Sequence, residues 1–237
     1  LTVQENINVS GNTGNYCFVG GIAGQAAENS SPAIVISGST ISPEINCSGN
    51  ANFICGGAFA EIGQNDKFSV TADNVKLGAA VTNSSTAGSK KVGGFIGNIS
   101  SNNGAASDRT ISLTNITIDS ENVTSAYGGA LLGESWNNCE VSVGSETEKG
   151  ITVKSAEVTQ NGNGDFAGFV TNATGCWKVY DVNIEGITVS GVSAASFGML
   201  VNKGVYKYDS ITTALYLETE SENAYKIGSA VISIGLN

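Results

Sequence analysis

One short pattern, two small residues followed by two apolar ones, returns seven times along these 237 residues. The copies read FVGGIAG (Phe18 to Gly24), ICGGAFA (Ile54 to Ala60), KVGGFIG (Lys91 to Gly97), YGGALLG (Tyr127 to Gly133), DFAGFVT (Asp165 to Thr171), SFGMLVN (Ser196 to Asn202) and KIGSAVI (Lys226 to Ile232). Aligned on Gly20, Gly56, Gly93, Gly129, Ala167, Gly198 and Gly228, they are spaced by 36, 37, 36, 38, 31 and 30 residues. A drifting period in the thirties is the mark of stacked repeats whose loops vary in length.

Between the glycine segments, apolar and polar residues alternate, as in Phe68 and Val70, Ile111 and Leu113, Val141 and Val143, and Ile187 and Val189. A period of two turns one side chain inward and the next outward on a half-buried strand. About three such strands fit each repeat, too few to bury their own apolar faces, so the repeats must stack. The expected fold is all-β: a right-handed parallel β-helix (β-solenoid) of about seven coils, three short strands per coil, forming one domain over residues 1–237. At ~4.8 Å per coil the rod would be roughly 34 Å long, and handedness follows the rule for parallel crossovers.

The structural repeat positions are Gly20, Gly21, Gly56, Gly57, Gly93, Gly94, Gly129, Gly168, Gly198 and Gly228, expected to stack in register as one sheet. Two readings of them stay open. Paired glycines suit a positive φ or an approach too close for a Cβ atom, but they also open two-residue hairpins. The adjoining apolar pairs Ala58 and Phe59, Phe95 and Ile96, Leu131 and Leu132, and Phe169 and Val170 are expected in the core.

Charge narrows the functional classes. A formal charge of −10, no His and the single Arg109 leave little with which to neutralise phosphates. Nucleic acid and anionic lipid head groups are therefore poor partners. No apolar run approaches the ~20 residues that span a bilayer, so membrane insertion within this segment is not expected. The five cysteines, Cys17, Cys47, Cys55, Cys139 and Cys176, form no C-x-x-C pair. They read as small buried apolar residues, with a disulfide between neighbouring rungs as the open alternative.

The segments VGGIAGQ, VGGFIGN and YGGALLGES resemble the glycine-rich GLUG-type repeats of large bacterial surface proteins, whose chains are similar to pectin-lyase-like β-helices. CGGAFA and YGGALL also resemble the GGA-aliphatic motif of polymorphic outer-membrane adhesins. The likeness departs at Ala167, Met199 and Ile232. It implies a secreted or cell-surface bacterial β-helix of adhesin type, whose partner would be a glycan or protein on a host or neighbouring cell.

Catalysis on such a scaffold needs convergent groups, such as two facing carboxylates for glycoside hydrolysis or a base beside cations for uronate elimination. Asp66, Asp73, Asp108, Asp119, Asp165, Asp181 and Asp209 are scattered instead. No catalytic residue, metal ligand or cofactor is assigned. Asn161-Gly-Asn163-Gly-Asp165 begins like a calcium loop but has Phe166 where the turn glycine belongs, and reads as a flexible loop. Asp108 and Arg109 read as a solvated surface pair. Trp136 and Trp177 follow glycine segments and are the candidate ligand-binding residues, as rings that could stack on a sugar; packing over a solenoid corner is the alternative. Sequons at Asn98, Asn115 and Asn122 would matter only after eukaryotic secretion.

The expected function is a non-catalytic extracellular or cell-surface solenoid acting as adhesin or structural stalk. A carbohydrate-binding module, or less favourably a polysaccharide lyase or hydrolase of β-helix fold, is the alternative. Ile7 and Val9 at one end, and Ala230, Val231, Ile232 and Ile234 at the other, carry no polar cap. Uncapped strand edges predict a longer solenoid or end-to-end self-association.

Overall fold

The computed structural model describes residues 1–11, 15–26, 33–63, 67–88, 90–100, 109–135, 139–164, 166–172, 176–191, 197–198, 201–203, 205–209, 214–218 and 227–232. Among them every regular element is a strand. The strands form four sheets, which we call A to D in the order the chain visits them. In the second repeat these are Ala33–Ile41 (A), Glu44–Gly49 (B), Asn52–Gly56 (C) and Phe59–Gly63 (D). The chain then returns to A and lays Phe68–Leu77 parallel to Ala33–Ile41. Sheets B, C and D each have six strands, and their pairing is parallel. The architecture is all-β with parallel sheets, consistent with a β-solenoid.

Each repeat thus feeds four ladders rather than the expected three strands, because the glycine segment is a corner and not a strand. Its first small residue ends sheet C and its second apolar residue begins sheet D. The register follows the sequence alignment: Gly20, Gly56, Gly93 and Gly129 stack in one column, and Ala167 stacks with Gly198. The seventh segment departs. Ile227–Ile232 joins sheet A beside Cys176–Ile184, with Val179 opposite Ile227 and Asp181 opposite Ser229, so Gly228 lies along sheet A and not over Gly198. An antiparallel hairpin, Val205–Asp209 with Ala214–Glu218, precedes it and displaces the glycine segment from the corner.

Why the corner takes glycine is plain at the second repeat. A Cβ on Gly56 would overlap the Phe59 carbonyl oxygen, and one on Gly57 would overlap the Gly94 carbonyl oxygen of the next rung. Neither has positive φ, and the adjoining strands are parallel, so close backbone approach is the reason and hairpin turns are not. Crowding eases along the stack: at Gly129 the nearest atom to such a Cβ is 2.7 Å away. One rung later the position is occupied by Ala167.

The corner also explains why two consecutive residues face inward. The Phe95 carbonyl accepts from the Ala58 and Phe59 N–H groups at 3.0 and 3.1 Å, and the Leu131 carbonyl accepts from Phe95 and Ile96, both at 3.1 Å. Ala58 and Phe169 carbonyls serve the neighbouring rungs in the same way. The offset between rungs is the same on both sides of the corner, Gly56 with Gly93 and Phe59 with Ile96, so no residue is inserted, and the turn itself interrupts the alternation. All eight expected core residues at this corner are buried.

Phe95 is 1% exposed and meets the Phe59 ring edge-on at 6.1 Å. Phe95→Ala should destabilise the protein by about 3–5 kcal/mol, as other large-to-small core changes do. A denaturant titration of both forms measures this, and an unchanged midpoint would contradict the assigned packing.

Candidate functional site

Five residues beyond the first small residue of each glycine segment, sheet D carries one continuous polar column. Gln25, Glu61, Asn98, Glu134, Asn172 and Lys203 stand in register. Gln25 donates to Glu61 at 3.1 Å, and Asn98 donates to the other oxygen of the same carboxylate at 2.7 Å. Glu134 forms an ion pair with Lys91 of sheet C and accepts from the Tyr127 hydroxyl at 3.3 Å. Glu61, Asn98 and Glu134 are 4%, 3% and 8% exposed. Buried charges of this kind persist only when donors meet them. The arrangement binds rung to rung and leaves no open face at the carboxylates.

A second buried acid lies on the inner side of sheet B. Pro43, Ala79, Glu121, Ala156 and Ile187 share one buried column, and Glu121 is its one ionisable member. Neither Glu121 oxygen meets a donor among the described residues. Its Oε1 and the Ala130 carbonyl oxygen both crowd the point where a Cβ would stand on Gly94, which puts the two oxygens within hydrogen-bond reach of each other. Two acceptors repel there, whereas a protonated carboxyl can donate to that carbonyl. Burial pushes the Glu121 pKa well above the usual carboxylate range, in the same direction as this geometry.

The corner between sheets B and C is held by inward polar side chains. Asn83 donates to the Phe53 carbonyl at 3.2 Å, Ser125 to the Lys90 carbonyl at 2.9 Å, and Gln160 to the carbonyls of Ala126 and Gly164 at 3.3 and 3.0 Å. Each supplies a further donor to a backbone acceptor at the corner.

Of the residues singled out from sequence, Trp136 lies outside the described residues. Trp177 lies on Cys176–Ile184, in register with Val141, and its side chain is outside the description. Asn161 turns its amide to the Asn83 carbonyl at 2.9 Å, which ties down that end of the calcium-like segment; Asp165 is outside the described residues. Arg109 corrects the expectation of a solvated pair: it heads Arg109–Thr114 and is fully buried, while Asp108 is not described. Its column neighbour Phe68 explains the placement, since strand register carries position 109 inward whatever residue occupies it. Asp73 sits at a bend of sheet A and accepts from Asn115 and Thr114 at 2.9 and 2.8 Å, bonds that hold its pKa below the ordinary value. Asp119 and Asp181 likewise accept from Ser155 and from the Gly150 N–H. Asn98, one of the sequons, is occupied with Glu61.

The polar column was missed in the sequence although its signal was present, as a polar residue five positions beyond the first small residue of all seven glycine segments, Ser233 being the last. Glu121 had no such signal. Comparison with protein-family models, curated proteins and solved structures finds no match to this chain.

Because Glu121 keeps its proton in the folded state at pH values where the unfolded chain has released it, its contribution to stability falls as pH rises above the ordinary glutamate value near ~4.3. Glu121→Gln, which keeps shape and a donor, should raise the denaturation midpoint at about pH 8 and change it little near about pH 4. Parallel pH profiles for the two forms would show that the carboxyl is ionised in the fold.

Proposed function

We propose that this chain is a right-handed β-solenoid of about seven coils that works outside the cell or at its surface as a non-catalytic adhesin or stalk. Its partner in this reading is a glycan or protein on a host or neighbouring cell. The observation that supports it best is the outer face of sheet B. Two outward columns run along it: Asn6, Glu44, Ala80, Asn122, Glu157 and Thr188, and beside them Asn8, Asn46, Thr82, Thr124, Thr159 and Ser190. These residues are exposed or half-buried, and rung spacing sets them about 4.8 Å apart.

Direct cross-rung bonds hold parts of this face flat, with Asn46 donating to Asn8 at 3.1 Å and the Thr159 and Ser190 hydroxyls 2.9 Å apart. A shallow groove of about 320 Å³, lined by Ser120, Glu121, Asn122, Ser155, Glu157 and Thr188, borders it at the corner with sheet A. Amide and hydroxyl groups repeated at a fixed interval can satisfy hydroxyl-rich or peptide partners over a long contact, in which many weak bonds add. Catalysis would instead need free carboxylates converging on a cleft; among the described residues Glu61 and Glu134 are spent on hydrogen bonds and an ion pair, and Glu121, although it lines the groove, is 2% exposed.

Beads coated with the protein should adhere to intact cells, and Thr82→Lys with Thr124→Lys should abolish most of that adhesion while leaving the unfolding midpoint unchanged. Treating the cells with glycosidase or protease separates the two partner classes. Release of new reducing ends or unsaturated products from a panel of polysaccharides would overturn the non-catalytic reading.

A further inference from the structure

Cys47 and Cys55 flank the corner between sheets B and C within one repeat, on Glu44–Gly49 and Asn52–Gly56. Both point inward and are 1% and 0% exposed. Cys47 stacks between Val9 and Asn83, and Cys55 between Val19 and Val92. The rungs on either side therefore place Val9 with Val19, and Asn83 with Val92, where this rung sets two sulfurs face to face. Those sulfurs are 3.2 Å apart, and both are thiols in this structure. A disulfide spans about 2.05 Å, so closing the gap asks for a side-chain shift of little more than an ångström.

We propose that Cys47 and Cys55 form a disulfide within one rung, made while the chain folds in an oxidising compartment, which locks the corner between sheets B and C. The bond lies across a corner of a single coil and not between neighbouring rungs. The oxidant is a small-molecule disulfide such as oxidised glutathione. One cysteine thiolate attacks it and releases a glutathione thiolate, and the second cysteine then attacks the mixed disulfide and expels the other. Two protein thiols give up two electrons and two protons, and one glutathione disulfide becomes two thiols.

Timing follows from burial. Desolvation, with the neighbouring Cys47 thiol, holds the Cys55 thiol well above its ordinary pKa, so the finished fold supplies little thiolate. In the unfolded chain the two are eight residues apart, and exchange is open to both. Once the core closes, the same burial shields the bond from reductants. Cys17 is the nearest rival, half-buried on the preceding rung and opposite Phe53.

The full chain refolded from denaturant with mixed oxidised and reduced glutathione, then acid-quenched, alkylated and digested, tests this. Two of the five cysteines should escape alkylation, and the linked peptides should contain Cys47 and Cys55. Cys17→Ser and Cys139→Ser should keep the link and Cys47→Ser should lose it. The oxidised form should unfold at a higher denaturant concentration than the same sample after reduction. Full alkylation of every cysteine, or a link that runs through Cys17 or Cys139, would overturn the proposal. Should Cys47→Ser fail to fold, peptide mapping of the unsubstituted chain decides alone.

Discussion

A backbone carbonyl that accepts two consecutive N–H groups from the preceding rung is the joint on which the stack depends. It recurs at Ala58, Phe95, Leu131 and Phe169. Because it spends one acceptor on two donors, the chain can turn from sheet C into sheet D without leaving a buried N–H unsatisfied. The same turn brings backbone within the space of a Cβ, which is what glycine supplies at Gly56 and Gly57. Inward-facing Phe59, Phe95 and Leu131 are consequences of that geometry, as is the drop into period two on either side.

Apolar stacking alone would accept a slip by a whole rung, since each repeat presents similar aliphatic residues to the core. The polar columns discriminate. On sheet D the order is amide, acid, amide, acid, so Glu61 finds a donor above and below in Gln25 and Asn98. A one-rung slip of the later repeats would bring Glu61 against Glu134, and two carboxylates at rung spacing in a buried column repel strongly. Asn83, Ser125 and Gln160 each donate to a corner carbonyl of the preceding rung, Phe53, Lys90 and Ala126, and so tie neighbouring rungs together.

Much of this was legible in the sequence. The glycine alignment gave the ladder register residue by residue for six segments, because a position defined by steric exclusion admits few substitutes. The paired sheets C and D were not separable, since a corner that buries two consecutive residues looks like part of a strand. Gly228 was misjudged for a related reason: KIGSAVI has the composition of a corner, but the hairpin at Val205–Asp209 and Ala214–Glu218 consumes the residues that would have brought it there. Arg109 and Glu121 were illegible because charge normally predicts exposure, and in a stacked coil register overrides it. The cysteine pair was hidden by the same blindness to corners, as Cys47 and Cys55 meet only once the turn between sheets B and C is known.

In a nearest-neighbour stack, each of these irregularities is confined to its own rung and the two that touch it. That separates two tasks that a globular core would couple. Corner positions and mostly buried columns hold what sets order and stability: the thiols at one corner, the neutral acid at Glu121, the amide and acid alternation on sheet D. Outward positions of sheet B answer to no such constraint, since Asn6, Glu44, Ala80, Asn122, Glu157 and Thr188 share one column while differing in size and charge. A surface that can change residue by residue over a lattice of about 4.8 Å per rung, while the joints behind it stay as they are, is what the proposed contact role asks for, whereas catalysis would need several groups fixed against one another at once.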